Sequence, residues 1–120
     1  MTAIAKNVRI ACEAPNNIAA REQLMLAATQ GGIAFSNSSV TLIHGMSRPI
    51  GAFYHVPHGL SNAMLMPVLT EYSLPGAQER YADCARAMGY ASGGDSQTNA
   101  GLKLIDGLYQ LNADLSVPTP

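Results

Sequence analysis

The chain has 120 residues, 7 Lys or Arg against 8 Asp or Glu, a net charge of -1 and no Trp, which fits one domain, or part of one, and leaves no room for two. Hydrophobic residues make up 48% and charged residues 12%, so the composition is not that of a disordered chain. The basic residues, scattered from Lys6 to Lys103, build no field for nucleic acid.

About half the usual density of charge predicts a face that meets other protein, as in a homo-oligomer. The longest apolar runs, such as Ala63 to Leu69, fall far short of the ~20 residues a bilayer requires, so no membrane partner is expected. Met1 to Lys6 does not read as a leader, and the expected location is cytoplasmic.

Ile4, Val8, Ala11 and Cys12 recur at helical spacing and predict a short amphipathic helix over Thr2 to Glu13. Pro15 to Asn17 break and re-cap the chain, and Ile18, Met25, Ala28, Gly32 and Phe35 predict a second helix over Ile18 to Phe35. Its Gly31 and Gly32 cost about 1 kcal/mol each in a helix interior, which predicts close approach by another helix. Ser36 to Ser39 are expected to cap a third helix over Val40 to Ser47, ended by Pro49 and Gly51. Pro57 opens a helix from His58 to Tyr72. Pro75 opens another through Met88, closed by Gly89. Ala91 to Asn99 reads as a polar loop, and Leu102, Ile105, Leu108 and Leu111 carry a last helix over Ala100 to Leu115. The expected fold is all-α, a bundle of five or six helices with no sheet, over residues 1–120. Cys12 and Cys84 are expected as reduced, buried thiols, and Met25, Met46, Met64, Met66 and Met88 as core.

His44 and His58 are fourteen positions apart, about 21 Å along one continuous helix. A turn at Pro49 and Gly51 would let both rings face one point. By residue type alone, a metal site and a pair of hydrogen-bonded core histidines both remain open. His55 stands three before His58, but Pro57 forces Val56 out of the helical region, so His55 is read as a non-ligand lining the pocket. No serine lies in a Gly-x-Ser-x-Gly elbow and neither cysteine has a His nearby in sequence, which leaves hydrolase chemistry without support.

The block Gly32, Ala34, Phe35, Asn37, His44, Pro57, His58, Gly59, Asn62 and Ala63 resembles the C-terminal helical domain of the iron-containing (group III) alcohol dehydrogenases. The resemblance covers most of the chain. It implies that His44 and His58 are ligands of Fe(II), sometimes replaced by Zn(II), in an enzyme that moves hydride between a small alcohol or aldehyde and NAD or NADP. The family's Asp and third His, four residues apart on an earlier helix, have no counterpart in these 120 residues. Its Gly-Gly-Gly-Ser dinucleotide loop has none either. The resemblance therefore implies a fragment, inactive by itself, whose nicotinamide is bound mainly by the missing domain.

Arg48 takes the position of a further His in many members, which points either to a carboxylate-bearing substrate or to a plain surface residue, the second preferred. Phe53 and Tyr54 are candidate pocket residues, although aromatic core packing is the role favoured for them. No residue is assigned a catalytic role. The alternative is a stand-alone helical interaction module whose histidines are structural and whose apolar face makes a homodimer.

Overall fold

The computed structural model describes residues 1–120. Six helices follow one another without a strand: α1 (Thr2–Glu13), α2 (Ile18–Ser38), α3 (Leu42–Tyr54), α4 (His58–Ser73), α5 (Gln78–Met88) and α6 (Gln97–Asp114). Neighbours in sequence pack as pairs, α1 on α2, α3 on α4 and α5 on α6, and α4 also lies against α6. No helix is long and apolar enough to cross a membrane.

The core sits where α5 meets α6. Ala82 and Ala85 of α5 meet Ala100, Leu104 and Leu108 of α6, with Met66, Tyr81, Met88 and Tyr90 packed around them. Small residues on α5 bring the axes together, and two glycines of α6 complete the fit. A Cβ on Gly101 would lie 2.6 Å from Leu74, and one on Gly107 would lie 2.5 Å from the Tyr90 ring. Gly89, with φ 80°, ends α5 in the left-handed conformation that favours glycine.

Proline placement shows how the helices are held. Pro67, inside α4, has no N–H to offer the carbonyl of Ala63 one turn earlier. Asn112 of α6 donates to that carbonyl at 2.7 Å. The bond satisfies a group the helix itself leaves unpaired and ties α4 to α6.

Several expectations are corrected. α3 runs through Pro49 and Gly51 to Tyr54, because its packing on α4 offsets the missing bond. The chain reverses at His55 to Pro57, where His55 is left-handed with φ 54° and Val56, preceding a proline, is kept out of the helical region. α2 continues to Ser38 instead of ending at Phe35. Ser36, Asn37 and Ser38 donate to the carbonyls of Gly32, Ile33 and Ala34 at 2.7, 2.7 and 2.9 Å, which uses them inside α2 rather than as caps for α3. Pro75 sits in a 3-10 turn, Leu74–Gly76, before α5, and α6 starts at Gln97, with Ser96 as its cap.

Burial is corrected as well. Gly31 and Gly32 have nothing within 4 Å of a would-be Cβ, so no helix approaches them. Met25 is 70% exposed and Met46 is also exposed, so they are not core. Cys12 is exposed and Cys84 half-buried; burial pushes the Cys84 thiol above its ordinary pKa.

Candidate metal centre

The site is made by the α3–α4 pair. After Tyr54 the chain doubles back: a Cβ on Gly51 would stand 3.4 Å from the Val56 carbonyl oxygen. α4 therefore begins beside the body of α3, and His58, its first residue, comes to His44, the third residue of α3. The two ring centres are 5.4 Å apart with their planes at 53°, against the roughly 21 Å of a continuous helix. The reversal that brings them together lies at His55 to Pro57 and not at Pro49 and Gly51, through which α3 continues.

Two buried serines bond the backbone of the histidine turns. Ser47 and Ser61 are both 0% exposed, each three residues after a histidine, and their hydroxyls donate to the carbonyls of His44 at 3.3 Å and His58 at 3.0 Å. Each hydroxyl is satisfied within its own helix, so a small polar side chain can lie in a buried contact without an orphaned donor. Sequence reasoning missed these serines. The available signal was the repeated spacing His44-x-x-Ser47 and His58-x-x-Ser61.

Around the rings lie Phe35, 6.5 Å from the His44 ring centre, and Asn62, whose amide nitrogen is 3.1 Å from Nε2 of His58. The Nδ1 atom of His44 and Oδ1 of Asn62 are buried without a hydrogen-bond partner, an arrangement that costs stability unless a further group engages them. Two imidazoles on one tetrahedral cation, with metal–nitrogen bonds of about 2.1 Å, stand with ring centres about 5 Å apart. Spacing, donor type and the unpartnered His44 nitrogen thus fit a shared cation. No group of three or more His, Cys, Asp or Glu side chains gathers anywhere in the structure, so the two rings stand without a third such side chain.

The other candidate residues lie outside the ring pair. His55 is exposed at the end of α3, its N–H donating to the Gly51 carbonyl at 3.0 Å. Phe53 and Tyr54 are 78% and 77% exposed, so the expected aromatic core packing is not found. Arg48 is exposed one turn after His44.

Residues 1–120 match the sequence pattern described as "Fe-containing alcohol dehydrogenase family, C-terminal". The chain belongs to this family. It is 36% identical over 115 residues to a 1,3-propanediol dehydrogenase of Citrobacter freundii, covering 96% of this chain and 30% of that one. It is 38% identical over 99 residues to the lactaldehyde reductase of Escherichia coli (strain K12), covering 82% of this chain and 26% of that protein. Among solved structures, a 1,3-propanediol oxidoreductase superposes with a TM-score of 0.93 at 35% identity, over 98% of this chain and 31% of that one. An alcohol dehydrogenase from Oenococcus oeni gives 0.92 at 33%, over 98% and 30%. The chain thus spans about a third or less of these relatives, and its all-helical fold is that of the family's C-terminal region.

Proposed function

We propose that this chain is the helical metal-binding part of an iron-dependent, NAD(P)-linked alcohol dehydrogenase, in which His44 and His58 supply two ligands of Fe(II), or of Zn(II). The observation that carries this reading is the 5.4 Å approach of the two rings, from positions fourteen residues apart, beside a buried His44 Nδ1 with no protein partner. Neutral imidazole suits both metals. When bound, such a cation supplies Lewis-acid polarisation of an alcohol or carbonyl oxygen, favouring hydride transfer to or from nicotinamide.

The chain's own residues hold and orient. Ser47 and Ser61 bind the histidine carbonyls, fixing the turns from which the imidazoles project. Arg48, Phe53 and Tyr54, exposed on α3, are assigned to the substrate side of the assembled site. Arg48 has no ion-pair partner in the fold, and a plain surface role is preferred for it over a carboxylate contact. The remaining ligands and most of the nicotinamide contacts belong, in this reading, to parts of the enzyme outside these 120 residues. By itself the chain is inactive, the intact enzyme acts on small alcohols or aldehydes in the cytoplasm, and its subunits form a homo-oligomer.

Titration of the chain with Fe(II) and Zn(II), compared with His44→Ala and His58→Ala, tests the assignment. Weak one-to-one binding that either substitution lowers about tenfold or more is expected. Wild type and both variants binding alike would remove it. A second reading, a homodimerising helical module, draws on the exposed Ile18, Met25, Leu26, Ile33 and Phe35 of α2. Concentration-dependent dimerisation abolished by Met25→Glu, with no histidine-dependent metal binding, would favour it.

A further inference from the structure

Asn62 lies one helical turn after His58 on α4, and its amide nitrogen Nδ2 is 3.1 Å from Nε2 of that imidazole. An amide nitrogen only donates, so the contact is a hydrogen bond only when Nε2 presents its lone pair. The proton of the neutral ring then sits on Nδ1. The Oδ1 atom of Asn62 is buried with no partner, so the bond to His58 is the one polar contact that holds this amide.

We infer that Asn62 is a positioning residue that holds His58 in its Nδ1–H tautomer and is the group an arriving cation displaces from Nε2. The inference rests on reading His58 as a metal ligand. A ring free in solution distributes its proton over both nitrogens, and in the Nε2–H form that nitrogen has no lone pair for a metal. Asn62 removes that form in advance. It also restrains the ring through an i, i+4 contact within one helix, which survives whatever packs outside the α3–α4 pair. A neutral N–H donor keeps the lone pair without neutralising it, and a metal–nitrogen bond readily replaces so weak a partner.

The test is the two-bond nitrogen–proton correlation pattern of the His58 ring, measured on the 120-residue chain at about pH 8.5, where ordinary imidazole, with a pKa of about 6.5, is neutral. Wild type is expected to show the Nδ1–H pattern. Asn62→Asp, equal in size but accepting only, is expected to invert it to Nε2–H. Asn62→Ala is expected to show a mixture, with circular dichroism confirming that both variants keep their helices. Zn(II) added to wild type should move the side-chain amide resonances of Asn62 together with His58 Nε2. An Nε2–H pattern in wild type, or the same pattern in all three proteins, overturns the inference. So does Zn(II) binding at His58 that leaves the Asn62 amide unmoved. If Zn(II) moves neither His44 nor His58, the metal reading fails and the displacement with it, while the three tautomer patterns still decide whether Asn62 holds the ring.

Discussion

Along α6, Leu104 and Leu108 meet Ala82 and Ala85 of α5 with almost no exposure, while along α2 the side chains of Ile18, Met25, Ile33 and Phe35 all stand in solvent. Both helices carry apolar residues at helical spacing. The difference is in their partners: α6 packs on both α5 and α4, while α2 packs mainly on α1. A periodic stripe encodes a demand for cover, and only the assembled neighbours decide whether the demand is met. The histidine pair lies between these extremes, with His44 half-buried and His58 exposed.

The sharpest way to break this comparison is to truncate one side chain from each region. Leu104 is 2% exposed at the centre of the α5–α6 contact. Leu104→Ala is expected to lower stability by about 2–5 kcal/mol, through lost burial and the cavity left behind. Met25→Ala in α2 is expected to change it by no more than about 0.5 kcal/mol. Urea denaturation of the two variants measures both. A loss from Met25→Ala approaching that of Leu104→Ala would mean that α2 is covered in solution, as by a second copy.

Glycines make a finer comparison, because it predicts opposite signs. Gly107→Ala drives a methyl into the Tyr90 ring, 2.5 Å away, and is expected to cost about 1–3 kcal/mol. Gly31→Ala meets open space and is expected to add up to about 1 kcal/mol through helix propensity. Thermal melts of the two variants, shifted in opposite directions from wild type, would bear this out; a fall for Gly31→Ala would show that α2 needs its glycine.

These pairs also show which features could be read from the chain. The Gly89 cap, the Pro15 to Asn17 break and the extents of α1 and α4 are decided within a few residues, and local chemistry predicts them. Pro49 and Gly51 misled because their helix-breaking tendency is a local cost that α3 overcomes by packing on α4. Met25 and Gly31 misled for the complementary reason, since a pattern names a face and not the element that covers it. At the site, His44 and His58 stood out by their surrounding motif. Ser47, Ser61 and the Asn62 contact did not, because a serine three residues after a histidine looks like any helix serine until burial shows what it does.

The smallest expected effect lies in the loop between α5 and α6, at Asp95. Its Oδ1 accepts from Lys103 at 2.7 Å and from Asn99 at 2.9 Å, and its Oδ2 from the N–H and hydroxyl of Ser92 at 2.8 and 3.0 Å. The Lys103 ammonium first, then the Ser92 donors, hold this carboxyl well below the usual carboxylate range. A lowered pKa in the folded state means that the stabilisation is full above the unfolded value of about 3.9 and declines as the pH falls below it. Asp95→Asn removes the ionised partner at every pH. The gap in thermal midpoint between wild type and Asp95→Asn is therefore expected to stay constant from about pH 7 to 5 and to narrow from about pH 4 downward. A gap that ignores pH would mean that the loop is held by the shape of the side chain and not by its charge. The same series run with Lys103→Met should remove much of the pH dependence while leaving the Ser92 bonds, which separates the contribution of the ion pair from that of the turn.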